Sequence, residues 1–202
     1  MLDFLFPSKC VVCAKPTKPI CTDCLLKLSL QPRKELRDIP VFYLSEYGEE
    51  IGKVLTYIKD KGVTALIPQL IGKRNLLTDF SEVLLVPIPS SPANLKKRGF
   101  SHTLLMAKKL ARGQTGSRVW DVLVSSKRRA DQTQLGPEER RANLAGAFRV
   151  KPWAMPGQPV LLVDDVHTTG ATAHEAARVL SQAGYSVLGC WVVALVKGPK
   201  PS

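Results

Sequence analysis

Pro159-Val160-Leu161-Leu162-Val163-Asp164-Asp165-Val166-His167-Thr168-Thr169-Gly170-Ala171-Thr172 is the stretch that decides the fold. The apolar run 160–163 is too short for a buried helix, and it is bounded by Pro159 and by acids. It reads as a strand buried on both faces, as in a parallel sheet. Asp164 and Asp165 then sit at the carboxyl end of that strand, the edge where open α/β sheets bind ligands. Adjacent strand residues point opposite ways, so the two acids cannot share one role. The loop 168–172 leads into a helix predicted over 171–183 and stopped by Gly184. It offers hydroxyls and free amides at a positive helix end, which suits a phosphate dianion. The plainer alternative is an ordinary capped helix start after a buried strand. Two acids, three Thr and a Gly within nine residues favour a ligand with an anionic end next to hydroxyls or a metal, such as a phosphorylated ribose.

The stretch 160–172 resembles the 5-phosphoribosyl 1-diphosphate (PRPP) signature of type I phosphoribosyltransferases. The resemblance implies that Asp164 and Asp165 hold the ribose 2′ and 3′ hydroxyls. It also implies that Thr168, Thr169, Gly170, Ala171 and Thr172 cradle the 5′-phosphate. His167 falls at a variable position and receives no catalytic role; a lone loop His is ordinarily solvated.

Working outward, 202 residues with 45% hydrophobic content suffice for one main domain with a small appendage. A formal charge of +12 and a pI near 9.7 imply anionic company, for which nucleic acid, nucleotides and PRPP all qualify. No apolar run is long enough to insert into a membrane, and residues 1–7 lack the pattern of a secretory signal, so the expected location is cytoplasmic.

Cys10, Cys13, Cys21 and Cys24 form two Cys-x2-Cys pairs across a short loop, the spacing that surrounds a tetrahedral Zn²⁺ with four thiolates. Two disulfides are the competing reading, disfavoured by the missing secretory signal. A closed structural zinc module over 1–30, followed by a domain over 31–202, is the expected division. Cys190, in a late apolar run, is expected in the core.

The remaining elements are placed by periodicity and punctuation. A short helix is expected over 25–30, a charged linker or hood element over 31–40, and a strand over 41–44. Helices follow over 49–60 and 65–74, and a strand over 83–86. Pro87-Ile88-Pro89-Ser90-Ser91 fixes a loop on the same edge as the acids if the two strands are parallel. Lys96, Lys97 and Arg98 are either a pyrophosphate contact or a solvated basic turn. A helix is expected over 101–112 and a strand over 120–124. The polar stretch 125–136, with Lys127, Arg128 and Arg129, is either a mobile lid or a surface loop. A helix near Pro137, strands over 148–150 and 187–196, and a frayed tail complete the chain.

An N-terminal four-cysteine module joined to such a domain resembles the ComF family of competence-related proteins. Further residues carry the resemblance: Tyr47-Gly48 with Lys59 and Gly62, Val86-Pro87-Ile88-Pro89, Arg98-Gly99-Phe100, Gln132 with Leu135, and Arg140, Asn143 and Phe148. Ser101-His102 departs from the Asn-Gln that many members carry after Arg-Gly-Phe. The resemblance implies a type I phosphoribosyltransferase fold, with about five parallel strands flanked by helices and a small hood, and a pyrophosphate loop over 87–91. It also implies a part in natural transformation and DNA uptake, where single-stranded DNA is handled beside other competence proteins. The implied chemistry is displacement of pyrophosphate from C1 of PRPP, with Mg²⁺ and the cations Lys59 and Arg98, together with Ser90, on the diphosphate. A second reading, a non-catalytic DNA-binding adaptor that senses PRPP or keeps a vestigial site, draws on the basic clusters. It requires exposed rings, for which Phe100, Trp120 and Trp153 are the candidates.

Overall fold

The apolar run 160–163 lies inside the sheet, between two other parallel strands. In the computed structural model, which describes residues 9–17, 19–28, 30–72, 76–77, 80, 82–126, 144–152 and 157–197, nine strands and six helices alternate along the described chain. The strands are β1 (Arg33–Leu36), β2 (Pro40–Glu46), β3 (Leu84–Pro87), β4 (Arg118–Val119), β5 (Leu123–Ser125), β6 (Phe148–Val150), β7 (Pro159–Val163), β8 (Val166–His167) and β9 (Ser186–Leu195). The helices are α1 (Thr22–Lys27), α2 (Glu49–Asp60), α3 (Leu66–Ile71), α4 (Pro92–Arg98), α5 (His102–Arg112) and α6 (Ala171–Gln182).

The main sheet runs β1-β2-β9-β7-β3-β4, with β8 beside the end of β9. From β2 to β4 every pairing is parallel, and β1 closes one edge antiparallel to β2. The expected parallel sheet of about five strands is therefore present, with β1 added. Its strands are buried on both sides by alternation. Leu161 and Val163 face the core built with α2, α3 and α5, while Val160 and Leu162 face the one built with α6, β5 and β6. On α2, Ile51, Val54, Leu55 and Ile58 form the buried stripe that its spacing predicts. Cys10, Val11, Ile20, Cys24 and Leu28 join the same core as α2 and α3.

Several boundaries differ from the expectations. The first helix starts at Thr22, so Cys24 lies within it, because the chain turns helical straight from the second cysteine knuckle. The stretch 31–40 contains the edge strand β1, whose exposed, non-alternating residues gave no strand signal. Lys96, Lys97 and Arg98 belong to α4 instead of a turn. Ser91 caps α4, Pro92 opens it and Gly99 in the left-handed region ends it, yet no residue of it is buried, so periodicity could not reveal it. The run 120–124 is not one strand: the Trp120 amide still donates to the Leu85 carbonyl at 2.8 Å, after which the chain leaves the main sheet and pairs again in the β5–β6 ribbon. His167 is not solvated, since it forms β8 against β9 and is 5% exposed. The basic loop at Lys127, Arg128 and Arg129, the residues Gln132, Leu135, Arg140 and Asn143, the helix near Pro137, Trp153, and residues 1–7, 74 and 198–202 lie outside the described residues. Among the described residues no helix is long and apolar enough to cross a membrane.

Candidate functional site

The alternation of β7 continues into the acids and separates them. Asp165 turns to the side of α2 and α5, where Lys59 Nζ lies against its Oδ2 and His102 Nε2 stands 3.7 Å from its Oδ1. Asp164 turns toward Ala173, Cys190 and Val192, on the side of α6, and its Oδ1 accepts the Asp165 amide at 2.9 Å. Opposite environments split their acidities. Burial and the neighbouring Asp165 charge push Asp164 well above the usual carboxylate range. Burial acts the same way on Asp165, but His102 and Lys59 outweigh it and hold that carboxyl well below its ordinary value. The surroundings thus favour charge on Asp165 over charge on Asp164.

The loop after β8 begins with Thr168 and Thr169, both exposed, and turns at Gly170. Gly170 has φ +80°, and a Cβ there would meet His167 Cε1 at 2.9 Å, so no other residue fits without strain. The α6 helix then starts with no acid in its first turn, which leaves its positive end available to an anion. Arg37 reaches this loop across 131 residues of sequence. Its Nη1 donates to the Thr168 carbonyl at 3.3 Å and its Nη2 to the Val196 carbonyl at 3.1 Å, while Glu35 accepts from Nε at 2.8 Å. Nothing in the sequence marked Arg37, because a contact over such a separation leaves no local pattern.

On the other side of β7, the amide of Ile88 donates to the Val163 carbonyl at 2.9 Å, which sets the loop after β3 directly beside the acids. Ser90 lies half-buried in that loop, three residues past β3. Arg98, at the end of α4, is 3.6 Å from Asp60, the residue next to Lys59. The structure therefore brings Lys59 onto Asp165 and Arg98 onto the neighbour of Lys59. His102 is the residue the sequence reading missed, noted only as a departure from a motif. It is 4% exposed and belongs with Asp164 and Asp165 to a cluster whose ligand atoms lie within 4.8 Å of one another.

The second cluster of ligand atoms is N-terminal. Ala14 takes φ +62° and bonds back to the Cys10 carbonyl at 2.8 Å, folding the first knuckle, and the Cys21 amide points at Cys10 Sγ at 3.4 Å. All four sulfurs lie within 4.8 Å of one another, with Cys13 and Cys21 at 3.7 Å. Four sulfurs about 2.3 Å from a tetrahedral zinc are about 3.8 Å apart, so the set fits that ion. Burial works to raise the Cys10 thiol, but the Cys13 and Cys21 amides prevail and bring it to about 6. Cys24 is pushed up to about 12 by burial and by its sulfur neighbours. A thiolate crowded by sulfurs in this way is relieved by a dication. None of the five cysteines is in a disulfide, and Cys190 is fully buried, as expected.

No protein-family model matches the chain. It is 27% identical over 186 residues to the competence protein ComFC of Bacillus subtilis, covering 87% of this chain and 72% of that one. It is 30% identical over 112 residues to competence protein F of Haemophilus influenzae, covering 54% of this chain and 49% of that one. With the DNA utilization protein YhgH of Escherichia coli O157:H7 the identity is 32% over 109 residues, covering 53% and 47%. The chain thus spans about half the length of these last two relatives. Among solved structures, an adenine phosphoribosyltransferase covers 86% of this chain and 90% of its own at 16% identity, with a TM-score of 0.44. The chain is thus similar, at modest identity, to curated competence proteins and DNA utilization proteins.

Proposed function

We propose that this chain is a PRPP-binding, phosphoribosyltransferase-like protein that acts in natural transformation, in the handling of incoming single-stranded DNA beside other competence proteins in the cytoplasm. The observation that carries the reading is the split acid pair at the carboxyl edge of β7, followed at once by the exposed Thr168–Thr169–Gly170 turn at the start of α6. Asp164 and Asp165 would hold the ribose hydroxyls, and Thr168, Thr169, Gly170, Ala171 and Thr172 the 5′-phosphate. Lys59, Ser90 and Arg98 would meet the diphosphate with its Mg²⁺. In this reading residues 1–30 form a structural zinc module through Cys10, Cys13, Cys21 and Cys24, and residues 31–202 form the PRPP domain. Any turnover would be displacement of pyrophosphate at C1, to which these groups contribute orientation and charge stabilisation.

The +12 charge supports a second reading, a non-catalytic DNA adaptor with the same PRPP site as a sensor or relic. Two of the three candidate rings weaken it, because Phe100 and Trp120 are both half-buried and the Trp120 indole N–H is committed to the Tyr185 hydroxyl at 2.8 Å. Calorimetric titration of PRPP with Mg²⁺ into the wild type and into the Asp164→Asn, Asp165→Asn double variant tests the site. Binding to the first and loss of it in the second is expected; a folded wild type that ignores PRPP would end the reading. DNA affinity that falls steeply with salt, without PRPP turnover, would favour the adaptor.

A further inference from the structure

We propose that His102 is a positioning residue for Asp165, fixing the direction in which that carboxylate faces the ribose. This rests on the PRPP reading of the site. A buried carboxylate needs donors for its oxygens; Lys59 Nζ lies against Oδ2 of Asp165, and His102 Nε2 stands beside Oδ1 at 3.7 Å, just beyond hydrogen-bond distance. The two partners differ in stiffness. Lys59 reaches Oδ2 on a flexible four-carbon stem and is 28% exposed, so it neutralises the charge without fixing the plane of the group.

The first turn of the helix that carries His102 is held in place. Ser101 caps α5 by accepting from the Leu104 amide at 3.2 Å and shares a 3.1 Å bond with the Thr103 hydroxyl. That hydroxyl donates to the Ile88 carbonyl at 2.8 Å, which ties the first turn of α5 to the loop after β3. Behind it, Met106, Ala107 and Leu110 anchor the helix in the core. The imidazole, 5% exposed, is confined by this packing, with Nε2 3.7 Å from Asp165 Oδ1, while its Nδ1 finds no partner among the described residues. A carboxylate has about four acceptor sites, so one contact on each oxygen leaves sites for two hydroxyls. Those hydroxyls are met together only when the plane of the carboxylate is fixed, and of its two neighbours His102 is the more confined, at 5% side-chain exposure against 28% for Lys59.

Two substitutions separate this role from a general contribution to folding. His102→Gln keeps an N–H donor at similar reach, and His102→Leu keeps the volume without the donor. PRPP with Mg²⁺ is titrated by calorimetry, and inorganic phosphate, a probe of the 168–172 loop that His102 does not touch, is followed by ³¹P line broadening. The expected result is PRPP binding weakened about tenfold or more in His102→Leu and within about threefold of wild type in His102→Gln, with phosphate binding unchanged in both. Equal PRPP affinity in all three proteins would overturn the proposal. So would a parallel loss of PRPP and phosphate, which would mark a structural role. If His102→Leu does not fold, His102→Asn, whose amide falls short of Oδ1, takes its place with the same outcomes. A wild type that binds phosphate but not PRPP would remove the reading of the site itself, and this inference with it.

Discussion

The cysteine cluster and the acid cluster each gather ligand atoms within 4.8 Å, yet they differ in the charge already supplied. Around the sulfurs, Lys15 is paired to Asp23 at 3.5 Å, and the sulfurs meet chiefly one another. At the acids, Lys59 is in contact with Asp165 and His102 stands beside it. Among the described residues the countercharge felt by the sulfurs is the exposed Lys15, already shared with Asp23, so the first cluster is suited to a further cation. The second carries its own, so it is suited to neutral hydroxyls more than to a bare metal ion.

Removing a sulfur gives the largest expected effect. Cys24→Ser should lower bound zinc from about one ion per chain to almost none. The knuckles share a core with α2 and α3, so the loss of about 3–5 kcal/mol should lower Tm by roughly 10 °C. Metal analysis with thermal unfolding reads both, and retention of zinc with an unchanged Tm would erase the contrast. A smaller effect is expected from Lys59→Met, which takes the countercharge from the acids. Asp165 would then keep only the 3.7 Å contact with His102, at a cost of about 3 kcal/mol at neutral pH, the low end for a buried pair because Lys59 is partly exposed. Because its folded pKa is depressed, its contribution exists above the usual 3.8 and fades as pH falls through the lower folded value, so the deficit should close in acid. The same variant should bind Mn²⁺ more tightly than wild type at His102, Asp164 and Asp165; unaltered Mn²⁺ affinity would show that charge compensation does not decide the ligand.

The smallest effect distinguishes the two acids themselves. Asp164 has a raised pKa, so folding favours its protonated form and stability falls as pH climbs from 3.8 through the raised value. Asp164→Asn should therefore gain about 1 kcal/mol, or 2–4 °C, at neutral pH and nothing below about pH 3.8, whereas Asp165→Asn should lose stability at neutral pH. Matching Tm profiles for the two variants would mean that the acids are not differentiated.

The regions also differ in how plainly they are written. The cysteine spacing is local, as are the β7 run and the helical stripe of α2, and each was legible because neighbours in sequence are neighbours in space. The period of two even foretold that Asp164 and Asp165 would diverge. What it could not supply was what each would meet. His102 and Lys59 come from α5 and α2, 63 and 106 residues away from Asp165 by numbering, and Arg37 from the edge hairpin. The split of the run after Trp120 was hidden for a related reason: Val122 and Leu123 are equally buried in the second ribbon, so hydrophobicity stays constant while the partner strand changes. The caps of α4 were present as Ser91, Pro92 and Gly99, but a helix with no buried residue leaves no period to find.

The crowded turn at Gly170 bears on how the loop can change over generations of mutation. Every replacement of that glycine adds a Cβ into the His167 ring on a left-handed backbone, so no single step away from it is silent. A smaller residue at 167 would relieve the clash and leave only the backbone penalty. Positions 167 and 170 are therefore expected to drift as a pair, with the imidazole exchanged first.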